Sequence, residues 1–209
     1  MKRVLSYLLA VILCFSTTVA LANEAKSTQE PEATQESTIE YDFKKFNWGD
    51  PMSKIVEVEG EPEFDGDFEG YKNAKYIAYD ARVAGYDMAL GYYFCDDGLF
   101  QTRYVSMESH SNDSLYINDY EDFKSILIKK YGEPLLDKEN WENDSKKKYY
   151  ADDKGNALSY GYLTYETIWI MDRTYIYMTL SADNYDVSMT IDYSSLTIYP
   201  EEDDYSDDI

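Results

Sequence analysis

The sequence predicts an α+β protein made of two tandem helix-plus-antiparallel-sheet repeats, and three observations carry that prediction. The phrase Gly-Glu-Pro occurs twice, at Gly60-Glu61-Pro62 and Gly132-Glu133-Pro134, 72 residues apart. Each copy closes a stretch of helical periodicity, and each is followed by Tyr-rich runs that alternate in polarity with a period of two. Self-similarity at a fixed spacing constrains architecture more firmly than local propensity does. Short connections between successive strands make neighbours antiparallel, and a helix laid across the apolar face of such a sheet gives the α+β class.

Residues 1–22 read as a secretory signal peptide: Lys2 and Arg3, an apolar run from Val4 to Phe15, then the small-x-small pattern Ala20-Leu21-Ala22. The apolar run is too short to span a bilayer, and no transmembrane segment follows it. Lipidation at Cys14 is the alternative, but the residue before it is Leu13 where that processing needs a small side chain. Residues 23–40 contain no aromatic residue and are rich in Glu, Thr, Ser and Gln, which marks a flexible polar linker. The first repeat is expected over 41–112, the second over 113–200, and an acidic tail over 201–209.

In the first repeat Asp50 can cap a helix, Pro51 fits its first position and Gly60 ends it, with Pro62 just beyond. Met88, Leu90, Tyr92 and Phe94 then alternate, and Asp97-Gly98 turns the chain into a strand from Leu99 to Met107. In the second repeat Asn118 and Glu121 form a capping pair. Tyr120, Phe123, Ile126, Leu127 and Tyr131 recur at helical spacing, Lys129 and Lys130 suit the negative helix end, and Gly132 terminates it. Strands are expected at 147–152 and 157–164 around the turn signal Lys154-Gly155-Asn156, then at 167–172, 174–182 and 185–193.

The net charge is −22, of which 41–200 carries −14, so the acidity belongs to the folded region as well as to the ends. Nucleic acid and anionic membrane surfaces both require clustered cations, and neither is expected as a partner. With Cys14 removed alongside the signal, Cys95 is the single remaining cysteine, so no disulfide can form within the chain. His110 is the one histidine. A triad lacks its nucleophile elbow, zinc lacks its ligand set, and the acidic turns at Asp65, Asp96 and Asp152 lack the twelve-residue calcium loop. No cofactor and no metal are expected, and the chain reads as a non-enzyme.

Phe46-Asn47-Trp48-Gly49 followed by Glu59-Gly60-Glu61-Pro62 resembles a group of uncharacterised secreted bacterial proteins. A short amphipathic helix, then Gly-x-Pro, then antiparallel strands also resembles the SmpA/OmlA-like lipoprotein units; the matching positions are Gly49, Ile55, Gly60 and Pro62, and Leu127, Gly132 and Pro134. Two such units in tandem resemble the β-lactamase-inhibitory protein fold. Asp50 and Pro51 replace the Met and the Ser or Thr of the lipoprotein motif, and no stretch matches the inhibitory loops. The resemblance therefore implies a binding scaffold and transfers no contact residue.

The remaining signal is aromatic: 23 Tyr, 8 Phe and 3 Trp. Tyrosine pairs a large apolar body with a polar tip and serves binding surfaces. With Ile176, Met178 and Leu180 facing a core, Tyr175 and Tyr177 face the other way, and Leu90, Tyr92 and Phe94 place Tyr93 outward in the same sense. Trp169, in a neighbouring strand, joins them as a candidate. The expected function is a secreted or envelope-associated, non-enzymatic protein-binding module, inhibitor-like or adaptor-like. Its acidic, Tyr-rich sheet surface would suit a basic protein partner. A carbohydrate-binding module and a carboxylate-dependent hydrolase are the alternatives, and the sequence leaves the oligomeric state open.

Overall fold

The computed structural model describes residues 41–203. The expected signal peptide at 1–22, the expected linker at 23–40 and residues 204–209 of the expected acidic tail lie outside the described residues. In chain order the elements are α1 (Met52–Glu59), β1 (Phe64–Asp67), β2 (Lys75–Val83), β3 (Tyr86–Cys95), β4 (Gly98–Ser106), α2 (Ser114–Tyr131), β5 (Leu136–Trp141), α3 (Asp144–Tyr150), α4 (Lys154–Ser159), β6 (Leu163–Ile170), β7 (Thr174–Asp183) and β8 (Asp186–Ser195).

All eight strands form one antiparallel sheet in the order β1-β2-β3-β4-β8-β7-β6-β5. This corrects the expected pair of tandem helix-plus-sheet repeats. Strand β4 pairs with β8 from Gln101↔Ser194 to Val105↔Thr190, so the strands run on as one sheet. A single registered row, Ile77–Tyr92–Thr102–Tyr193–Ile176–Trp169, crosses six strands and is buried along its whole length. The core is likewise one cluster, joining Ile55 of α1, Tyr120, Phe123 and Leu127 of α2, and Leu158 of α4 to that face. Burial on one face and alternation along each strand are two views of the same pleat.

The helices obey local rules where the sequence carried them and tertiary rules elsewhere. Helices α1 and α2 end at Gly60 (φ 95°) and Gly132 (φ 83°), as their spacing predicts. Asp50 does not cap α1; its carboxylate accepts from the Asn47 N–H (2.8 Å), and Pro51 occupies the capping position. Helix α2 begins at Ser114, four residues before Asn118, with Asn112 Oδ1 accepting from the Ser114 N–H. The strand expected at 147–152 falls largely in α3, capped by Asn143, whose side chain accepts from the Lys146 N–H, and the one expected at 157–164 is divided among the end of α4, a turn and the start of β6; Gly155 lies within α4. A Cβ on Gly155 would lie 2.6 Å from Ser114 Oγ and 2.7 Å from Ser114 N, so the "turn" glycine serves the contact between α4 and the start of α2.

Tyrosine packing gives the fold a measurable alkaline limit. The Tyr86 hydroxyl donates to Asp122 (2.8 Å), and that bond, with burial, pushes its pKa up to about 12. Burial, helped by the charge of Glu59, pushes Tyr104 to about 12 as well. A group whose pKa is raised by folding contributes stability that is complete below its unfolded value, about 10 for tyrosine, and that is lost as pH rises through the folded value. Stability is therefore expected to fall between pH 10 and 12. In a spectrophotometric titration, Tyr86 and Tyr104 should ionise only near pH 12, about two units above the phenol of an unfolded chain. A single reversible step near pH 10 for all tyrosines is the contrary result.

Candidate functional site

Because the core helices share one face of the sheet, the other is left without a helix among the described residues, and the register arranges its side chains in rows. One row reads Gly66–Tyr76–Tyr93–Gln101–Ser194–Tyr175–Ile170 across seven strands. Beside it runs Phe64–Ala78–Gly91–Arg103–Asp192–Tyr177–Ile168–Leu136, which spans all eight. Small residues are placed where rings must lie down. A Cβ on Gly91 would meet the Tyr93 ring at 3.0 Å, and one on Gly66 would meet the Tyr76 ring at 3.0 Å. Glycine in a strand usually marks such a close approach. The tyrosines therefore lie across the sheet and present their ring surfaces.

The centre of this face is electrostatically closed. Arg103 Nε donates to Asp192 Oδ1 (2.5 Å), and Gln101 Nε2 donates to the same oxygen (2.9 Å). Asp192 is only 7% exposed, so it depends on these donors. Burial opposes the Arg103 charge, but the bond to Asp192 and its charge outweigh that and raise the guanidinium pKa. The Arg103 guanidinium also sits 5.9 Å from the centre of the Tyr93 ring. On the far side, the Tyr175 and Tyr177 rings stack with centroids 6.1 Å apart and planes 28° apart, and the Tyr177 hydroxyl donates to Glu166 Oε1 (3.0 Å). Burial raises the pKa of Tyr175, and burial with the Glu166 bond raises that of Tyr177. Burial likewise raises Tyr93, against the pull of Arg103. These phenols stay protonated at neutral pH and offer flat apolar surface with hydrogen-bonding rims.

Of the four residues the sequence singled out, Tyr93, Tyr175 and Tyr177 share the helix-free face. Trp169 does not: it is 2% exposed on the core face, and its indole N–H donates to the Gly132 carbonyl (2.9 Å). The cause is visible in β6. Leu163, Tyr165, Thr167 and Trp169 are buried, but Ile168 and Ile170 on the opposite side are also apolar, so alternation alone could not assign the faces. Sequence reasoning missed Arg103 and Asp192. Their signal was present, because Asp192 lies between Ile191 and Tyr193, and Arg103 between Thr102 and Tyr104; what pairs them is a strand contact across 89 residues.

Other chemistry-bearing groups are engaged elsewhere. His110 Nε2 contacts Asp119 Oδ2 (2.6 Å), while Cys95 is half-buried with Sγ 3.8 Å from the Gly98 carbonyl. A cleft of about 400 Å³ is lined by Tyr41, Asp42, Tyr131, Ile170 and Arg173 among others. Its Arg173 is matched by Asp42 at 3.3 Å, and Asp42 also accepts from the Trp48 N–H. Among the described residues, no helix is long and apolar enough to cross a membrane. The fold and this face define a protein built on a single eight-stranded antiparallel sheet with four helices and an open, tyrosine-covered sheet face. No protein-family model matches the chain, nor does any curated protein or solved structure.

Proposed function

We propose that this chain is a secreted or envelope-associated, non-enzymatic protein-binding module, inhibitor-like or adaptor-like, that grips its partner with the helix-free sheet face. The observation that carries the reading is the registered pair of rows on which Tyr76, Tyr93, Tyr175 and Tyr177 surround the Arg103–Asp192 pair. Tyrosine and arginine at the centre of a surface are the residue types that dominate binding energy at protein interfaces. The net charge of −22 favours a partner with a basic surface, whose association slows as salt rises. The export pattern at residues 1–22 supports the extracytoplasmic placement.

The test is capture of partners from secreted and envelope extract by the immobilised protein, at low and high salt, compared with the Tyr175→Ser/Tyr177→Ser double variant. Both rings lie off the core, so the variant should keep its thermal midpoint within a few degrees. Two aromatic contacts at about 1.5 kcal/mol each correspond to roughly a hundredfold weaker capture. Undiminished capture by the folded variant would sink the proposal. A carbohydrate-binding reading is favoured by one specific observation, the shallow 28° and 33° angles within the Tyr175–Tyr177 and Tyr76–Tyr93 pairs. Retention of soluble polysaccharide without protein would transfer the assignment to it.

A further inference from the structure

The β7–β8 hairpin departs from two local rules at the same place. Its two-residue turn, Asn184-Tyr185, holds both residues at positive φ, 52° and 71°. Such turns favour glycine, and a bulky residue at positive φ is a true outlier. The β2–β3 hairpin of the same chain makes the corresponding turn with Ala84 and Gly85, at 54° and 98°. The residues flanking the β7–β8 turn, Asp183 and Asp186, stand directly opposite each other, where β2–β3 places Val83 and Tyr86. Like charges in that position destabilise a hairpin. Among the described residues, neither carboxylate has an ion pair or hydrogen bond. Strain of this kind persists where it serves a site.

What the strain places is Tyr185. Its ring meets Tyr160 at 5.6 Å and 87°, and Tyr160 meets Tyr162 at 5.7 Å and 61°. These three rings, with Ser159, Asp183 and Asn184, line an open cavity of about 350 Å³. Tyr185 and Tyr160 are 68% and 42% exposed, so their rings are accessible from solvent. Lys146 Nζ already lies 3.4 Å from the centre of the Tyr162 ring, so this cluster holds a cation against an aromatic face within the chain itself.

We propose that this cavity binds a quaternary ammonium group. Aromatic faces meeting at steep angles beside an unpaired carboxylate are the arrangement that recognises such cations. A primary ammonium is strongly hydrated and needs a hydrogen-bond acceptor beside the ring, as Lys146 has in its bond with the Tyr162 side chain, whereas a quaternary ammonium needs only the ring faces. A sugar stacks on near-coplanar rings, and planes 87° and 61° apart deny it that platform. The opposed Asp183 and Asp186 complement the ligand's charge, and their mutual repulsion falls when it binds.

The experiment titrates the full protein with choline and, separately, with 3,3-dimethyl-1-butanol, its uncharged isostere, by calorimetry or ligand-observed NMR. Choline should bind saturably and at least tenfold tighter than the isostere. Tyr185→Gly should weaken choline at least tenfold while the thermal midpoint holds or rises, since glycine suits the turn better. Tyr185→Phe should bind as the parent does, and Asp183→Asn should bind severalfold more weakly. Absent saturable choline binding, equal affinity for the isostere, or undiminished binding by Tyr185→Gly would each overturn the assignment. So would binding of a soluble oligosaccharide at this cavity in place of choline.

Discussion

Trp169→Ala is expected to unfold the protein at moderate denaturant concentrations and not merely to blunt a surface. The side chain is 2% exposed and sits in the core row beside Ile176. Truncating a buried Trp removes its transfer energy and leaves a cavity, about 3–5 kcal/mol. Its hydrogen bond to the Gly132 carbonyl (2.9 Å) adds about 1 kcal/mol and ties the end of α2 to β6. Domains carry only about 5–15 kcal/mol in total, so this single change uses a large part of the margin. The check is a urea midpoint, with Trp169→Phe as companion: that variant keeps most of the packing and should lose about 1–2 kcal/mol. A Trp169→Ala protein with a parental midpoint and impaired partner capture would put the residue back on the surface. The contrast with Tyr175→Ser/Tyr177→Ser separates a core aromatic from surface ones in the same sheet.

Gly98→Ala is expected to be nearly as damaging, although it adds a single methyl group. Gly98 begins β4 at φ 97°, and a Cβ there would lie 2.3 Å from the Gly49 carbonyl oxygen and 2.6 Å from its carbon. Left-handed backbone strain costs about 1–2 kcal/mol and overpacking about 1–3 kcal/mol. Relief by movement is blocked, because Gly49 N donates to the Leu99 carbonyl and Leu99 N to the Asp50 carbonyl, both at 2.9 Å. Those bonds fix the segment that carries Trp48, whose indole N–H donates to Thr174 Oγ1 of β7 (3.0 Å). The clash therefore reaches from one hairpin to the far half of the sheet. At about 3 kcal/mol the melting midpoint should fall by roughly 10 °C for a chain of this size. Gly85→Ala is the control: nothing lies within 4 Å of its added Cβ, so it should cost backbone strain alone, about 1 kcal/mol. Equal losses for the two variants would show that strain, and not the contact with Gly49, sets the penalty at Gly98.

By itself the sequence determined the features whose cause is local. Gly60 and Gly132 end helices because each must adopt positive φ, and any chain with that spacing would stop there. Strands β3, β4, β7 and β8 were legible from alternation, which put Tyr93, Tyr175 and Tyr177 opposite the buried residues of their own strands. Only the tertiary structure decided features whose cause lies in distant chain. Gly155 reads as a turn until Ser114 is brought within 2.7 Å of where its Cβ would stand. The side on which Trp169 falls depends on which face the helices cover, and β6 is apolar on both. The joining of β4 to β8, which makes one sheet and brings Arg103 to Asp192, is a pairing across 89 residues. Periodicity reports which residues of one strand share a face; which strand lies next to it is set by the burial of the whole core, and no window of sequence contains that.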